Sequence, residues 1–277
     1  METSRIQGKG DGLAHNATVL ERPMSCVGFP KGRADFELKT NHVVLRWLAI
    51  GGLDDMQQTQ LAGLLSETEQ AKAARFHDAS HRRTYVAAHA LLRGMLAHVT
   101  GRDPRELQFT HGPNGKPEPV CPPGIARVCI NLSHTHDLAA VAMTLDREVG
   151  VDIEWIARAA PFEVMERFFA PSERADVIAA PPSLRSMRFY DFWTMKEAYM
   201  KATGQGFSLD PVSFAVALTP ACLQRQPSGQ TIPTPYFFQR FSVSPGHVGA
   251  IALEGAEPVT VDAGAARLPW LGEFVAT

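Results

Sequence analysis

Hydrophobic residues recur along this chain with two periods, and each marks an element. His42–Ile50 (HVVLRWLAI), rich in Val, Leu and Ile and closed by Gly51 and Gly52, predicts a strand. Ser66 followed by Glu69 is a capping-box pattern, and it opens a helix to Phe76. Val86, Ala90, Leu91, Met95 and Leu96 share one stripe, which predicts a longer helix over Arg82–Val99, stopped by Gly101. Residues 111–127 hold three glycines and five prolines and predict a stiff loop. Val128–Leu132, Leu138–Leu145 and Val149–Trp155 predict strands, with Ser133–Asp137 and Arg147–Glu148 as their connections.

The order then recurs. Pro171–Arg174 starts a helix, and a long one follows over Leu184–Thr203, ended by Gly204 and Gly206. Strands are expected at Val212–Leu218, Tyr236–Val243 and Val248–Leu253. Each half reads strand, helix, long helix, strands, a weak internal duplication of order. Helices set between runs of strands give an α+β fold class of two similar halves. Residues 1–40, with five glycines and two prolines, read as an irregular extension; 41–148 form the first half and 149–277 the second.

Composition narrows the class. The 277 residues are 45% hydrophobic and 20% charged, an ordinary globular mixture. No apolar run approaches the ~18 residues of a membrane helix. The first residues, METSRIQGKGDG, hold no apolar stretch and so no secretory signal. A net charge of −2 argues against a mainly electrostatic nucleic-acid binder. Cys26, Cys121, Cys129 and Cys222 form no CxxC pair, so neither a zinc ribbon nor a disulfide framework is expected. The expectation is a cytoplasmic monomer that touches neither nucleic acid nor membrane.

Five stretches could carry chemistry. In Gly150-Val151-Asp152-Ile153-Glu154, strand alternation puts Asp152 and Glu154 on one face and Val151 and Ile153 on the other. Paired carboxylates raise each other's pKa unless a cation such as Mg²⁺ lies between them; a solvated strand face would carry them too. On the long helix, Glu197 and Lys201 are four apart on one face, as a catalytic pair or as a surface ion pair. Asn131-Leu132-Ser133-His134 could donate to a phosphate or simply turn the chain. Gly115-Lys116-Pro117 offers a cation on a rigid loop, and Arg82-Arg83-Thr84 offers cations at a helix start. There is no GxxxxGK[ST], GxGxxG after a strand, HExxH or GxSxG.

Taken in order, these motifs resemble the 4′-phosphopantetheinyl transferase superfamily, and most closely its surfactin-type, double-length branch. Arg75-Phe76, Arg83-Thr84 and Leu91-Leu92-Arg93 fit the same branch, and the likeness spans about Ser66 to Leu218. It implies two similar α/β halves with the active site between them. It also implies transfer of the phosphopantetheine arm of coenzyme A to a serine of an acyl or peptidyl carrier protein, releasing adenosine 3′,5′-bisphosphate. Asp152, Glu154 and Glu197 match the family's Mg²⁺-binding acids, with Glu197 and Lys201 catalytic. Arg83, Thr84, Lys116, Pro117, Ser133 and His134 match positions that hold coenzyme A, placing its contacts in the first half and the metal and carrier contacts in the second. One departure is Glu69, an acid among the basic residues that family members often place before Arg75-Phe76. The apolar stretch Trp155–Phe169 would border the metal site, with Phe162 and Met165 facing the carrier. Two rival functions use the same residues: a Mg²⁺-dependent phosphodiester or pyrophosphate hydrolase, and a non-catalytic coenzyme A binder.

Overall fold

The computed structural model describes residues 36–121, 124, 126–226 and 235–266. The extension expected over 1–40 lies, up to residue 35, outside the described residues, as does Cys26. The first half runs β1 (His42–Ala49), α1 (Asp55–Ala62), α2 (Glu67–Ala74), α3 (Ala79–Thr100), β2 (Phe109–His111), β3 (Pro117–Pro119), β4 (Val128–Thr135) and β5 (Leu138–Leu145). The second runs β6 (Val149–Trp155), α4 (Met165–Phe168), α5 (Pro171–Ala179), α6 (Arg185–Ala202), β7 (Ala215–Leu218), β8 (Ala221–Arg225), β9 (Tyr236–Ser244) and β10 (His247–Glu254). A last strand, β11 (Thr260–Ala265), follows.

Two antiparallel sheets carry the α+β fold. One has the order β1-β5-β4 and the other β6-β10-β9, so in each half the opening strand pairs with the second strand of the closing hairpin. β11 then returns to the first sheet and pairs parallel with β1. The strands that belong to the second sheet therefore end at Glu254, short of the end of the chain.

Strand alternation explains the layering. Val43 and Leu45 of β1 pack with Val149, Val151 and Ile153 of β6 and Ile251 and Leu253 of β10, which makes an apolar layer between the sheets. Val44 and Leu48, on the opposite face of β1, pack with Leu91, Met95 and Leu96 of α3. The outer face of the second sheet meets α6 through Met195, Ala198, Tyr199, Ala202 and Ala250. Each sheet is thus covered on both faces, which is why β5 (LAAVAMTL) is apolar without alternation.

Local chemistry sets the helix limits. Ser66 and Glu69 form the expected capping box: Ser66 Oγ accepts from the Glu69 amide at 3.4 Å, and Glu69 Oε2 accepts from the Ser66 amide at 3.0 Å. α3 starts three residues before the expected Arg82, because Asp78 accepts from the His81 amide at 2.8 Å. It ends as predicted at Gly101, whose φ of 67° suits glycine. The strand expected from Val212 begins only at Ala215, since Asp210 caps a short 3₁₀ turn over Pro211–Ser213.

Candidate active site

Gly150 decides where α6 lies. A Cβ there would collide with the carbonyl oxygen of Ala198 and the amide nitrogen of Ala202, so only glycine lets the helix backbone rest on β6. Gly150, Asp152 and Glu154 share one face of β6, and α6 lays Glu197 and Lys201 along that face. Val151 and Ile153 turn into the layer between the sheets.

The edge strands β4 and β6 join through side chains. Asn131 Oδ1 accepts from the Val151 amide at 2.9 Å, and Ser133 Oγ accepts from the Ile153 amide at 3.3 Å. Ser133 Oγ also donates to Asp152 Oδ1 at 2.9 Å and accepts from Lys201 Nζ at 3.1 Å. Together these bonds use its one donor and both lone pairs. Thr135 Oγ1 donates to Glu154 Oε2 at 3.5 Å.

The acids repel one another. Burial and the charge of Asp152 push Glu154 up, against the pull of Arg158, Lys201 and a Trp193 hydrogen bond. Burial, Asp152 and Glu154 push Glu197 up to about 7, with Lys201 opposing. Lys201 Nζ donates to Asp152 Oδ1 at 2.7 Å and to the Val151 carbonyl at 3.1 Å, as the counter-ion of Asp152. The other carboxylate oxygen, Oδ2, is buried without a partner, which leaves demand for a further cation. Oxygen donors from three carboxylates suit a hard divalent ion. Among the described residues, no three His, Cys, Asp or Glu side chains already converge closely enough to enclose one.

A cavity of about 720 Å³ lies in the first half. α2 lines it with Lys72 and its C-cap Arg75, α3 with Tyr85 and His89, the β2–β3 hairpin with Phe109, Gly115 and Pro117, and β4 with Asn131. Asn131 therefore connects this wall to β6. Lys72, Arg75, Tyr85, His89 and Phe109 were not among the expected site residues. The sequence signal is the spacing of three between Lys72 in α2 and Arg75 at its C-cap, which a surface helix would show equally.

Glu69, the departure noted in the sequence, is neutralised in place. It pairs with Arg93, and its Oε1 accepts from His89 Nδ1 at 3.2 Å. Burial works against its charge, but the His89, Arg93 and Ser66 contacts win and lower its pKa from 4.5 to about 2. Its stabilising effect is therefore complete above about 4.5 and is lost as pH falls through about 2. Glu69→Gln should cost about 2 kcal/mol at pH 7, less than the ~3–5 kcal/mol of a fully buried pair because Glu69 retains some exposure. Denaturant unfolding at pH 7 and pH 3 checks this: the gap between variant and wild type should shrink at pH 3.

The remaining expected contacts divide. Arg83 is exposed on the first turns of α3. Thr84 is buried, and its hydroxyl donates to the His136 carbonyl at 3.2 Å, so it braces the β4–β5 turn. His134 reaches the surface; desolvation on its inner side, Lys201 and His89 lower its pKa. Pro117 lines the cavity. Lys116 does not face it as a free cation: Nζ donates to Glu148 Oε2 at 2.7 Å and to the carbonyls of Val149 at 3.1 Å and Ala202 at 3.3 Å. These three bonds use every N–H it has. In the stretch after β6, Phe169 is fully buried core, Met165 and Phe168 are half-buried, and Phe162 is 38% exposed.

The model of the 4′-phosphopantetheinyl transferase superfamily matches residues 148–252, the part that carries all three acids. The chain is 34% identical over 177 residues to the 4′-phosphopantetheinyl transferase HetI of Nostoc sp. (strain PCC 7120 / SAG 25.82 / UTEX 2576), covering 63% of this chain and 75% of that protein. It is 31% identical over 163 residues to the 4′-phosphopantetheinyl transferase psf-1 of Bacillus pumilus, covering 59% and 68%. It is 25% identical over 205 residues to the 4′-phosphopantetheinyl transferase Sfp of Bacillus subtilis (strain 168), covering 72% and 86%. The chain belongs to the 4′-phosphopantetheinyl transferase superfamily. It is an enzyme, a 4′-phosphopantetheinyl transferase. Among the described residues, no helix is long and apolar enough to cross a membrane.

Proposed function

We propose that this transferase moves the 4′-phosphopantetheine arm of coenzyme A onto a serine of an acyl or peptidyl carrier protein, with Mg²⁺ held by Asp152, Glu154 and Glu197. The observation that carries the reading is the buried, unpartnered Oδ2 of Asp152 within three carboxylates, joined through Asn131 to a cavity with cationic walls.

The cavity takes the nucleotide end. Tyr85, Phe109, Gly115 and Pro117 line the space for the adenine, and Lys72 and Arg75 offer charge to the 3′-phosphate. Arg83 and His134, both exposed, contact the phosphates of coenzyme A. Mg²⁺, when bound, supplies Lewis-acid stabilisation of the pyrophosphate charge. Glu197 receives the proton of the carrier serine, directly or through a water. The serine oxygen bonds to the phosphorus that bears the pantetheine, and that phosphorus releases the bridging oxygen to adenosine 3′,5′-bisphosphate. Lys201 offsets charge on the phosphoryl oxygens. Phe162 and Met165 contact the carrier, and exposed Arg158 and Arg167 attract its acidic surface. The protein works as a cytoplasmic monomer.

Chelation of divalent ions should stop transfer, and added Mg²⁺ should restore it. Undiminished transfer under excess chelator would remove the metal from the account. Release of the bisphosphate without any carrier protein would favour pyrophosphate hydrolysis instead.

A further inference from the structure

Lys116 belongs to the wall of the cavity by sequence and to the transfer site by its bonds. It follows Gly115, whose φ of 82° closes a turn in which the Gly112 amide donates to the Lys116 carbonyl at 2.9 Å. Its neighbours Gly115 and Pro117 line the cavity. Its ammonium leaves that wall and reaches the start of β6, the strand of Asp152 and Glu154, through the Val149 carbonyl. It also reaches the last residue of α6, the helix of Glu197 and Lys201, through the Ala202 carbonyl. Glu148, at the junction of the halves, supplies the counter-charge; burial opposes ionisation of this carboxylate, but Lys116 and Arg127 hold its pKa down. Asn114 adds a parallel bond, donating to the Gly204 carbonyl at 3.1 Å.

We infer that Lys116 is a positioning residue: it latches the cavity hairpin to the ends of both elements that carry the transfer chemistry, and so sets the pyrophosphate's place relative to the acids. Lys201 is also fully hydrogen-bonded, but one of its partners is Asp152, which a bound cation can claim. Two of the three partners of Lys116 are backbone carbonyls of β6 and α6, which no ligand replaces, and its side chain is only 11% exposed. The inference rests on the proposed function for the identity of the ligand, and on the bonds alone for the latch.

The test uses Lys116→Met, which keeps the stem and removes the donors, in the full chain. Titration with adenosine 3′,5′-bisphosphate should give a Kd within about twofold of wild type, because the cavity contacts remain. The kcat for transfer to a carrier protein should fall by about tenfold or more, equally with coenzyme A and dephospho-coenzyme A. Lys116→Arg should recover part of kcat. Glu148→Gln should lower kcat in the same sense, and the double variant should fall little further than Lys116→Met alone. Glu148→Gln carries the same comparison if Lys116→Met does not fold. A tenfold loss of bisphosphate affinity would make Lys116 a ligand, and an unchanged kcat with a lower melting temperature would make it purely structural; either overturns the inference. Hydrogen exchange reads the latch without any substrate: the amides of residues 112, 114–116 and 203–206 should exchange faster in the variant. Unchanged exchange overturns the latch, whereas wild-type protein inactive toward coenzyme A and carrier overturns only the proposed function.

Discussion

Asp152→Asn should lower kcat for phosphopantetheine transfer by on the order of 10²–10³-fold, a loss of about 3–4 kcal/mol of transition-state stabilisation. The substitution is nearly isosteric. An asparagine oxygen can still accept from Ser133 Oγ, now held by Lys201 and Asp152 within hydrogen-bond distance. What it removes is charge at the only acid whose free oxygen is both buried and unpartnered among the described carboxylates. Removing that charge takes the counter-ion from Lys201 but relieves Glu154 and Glu197, whose pKa values it helps to raise, so the two effects on the fold offset each other. The expected signature is a collapse of kcat with a melting temperature close to wild type. Near-normal turnover at saturating Mg²⁺ would take Asp152 out of the site.

Gly150→Ala should cost about 3 kcal/mol of stability, at the upper end for an overpacked core position. The added methyl meets backbone, not the flexible end of a side chain, so α6 has to lift from β6. In a protein of this size that corresponds to a drop of roughly 6–12 °C in melting temperature. Transfer should fall as well, because Glu197 and Lys201 ride on the displaced helix while Asp152 and Glu154 stay on the strand. A melting temperature within a degree or two of wild type would show that the helix is not seated where Gly150 allows it to be.

The elements that carry the acids were legible in the sequence for physical reasons. β6 alternates Val151 and Ile153 with Asp152 and Glu154, and both faces are used, one for the layer between the sheets and one for α6. α6 places Met195, Ala198, Tyr199 and Ala202 at steps of three and four, and these residues are buried. α1 (DMQQTQLA) was not legible, because only Leu61 in it is buried and the rest shows no apolar stripe. β11 was missed because it is an edge strand, TVDAGA, with exposed positions and a glycine. In the candidate site, residue type was legible and partnership was not. Ser133 and Lys116 have the chemistry of phosphate ligands, yet their polar atoms are spent across the junction between β4, β6 and α6. That outcome depends on contacts 19 to 86 residues apart, which no local pattern encodes. Glu69 shows the reverse case: an acid that looked wrong for an anion pocket is neutralised by Arg93 and His89 of α3, the next helix, 24 and 20 residues along the chain.

The most direct measurement is the intact mass of an apo carrier protein incubated with coenzyme A, Mg²⁺ and this enzyme. The expected product is a carrier heavier by one phosphopantetheine, attached at a serine, with one adenosine 3′,5′-bisphosphate released per carrier modified. An unchanged carrier mass beside a folded enzyme that consumes coenzyme A would contradict it.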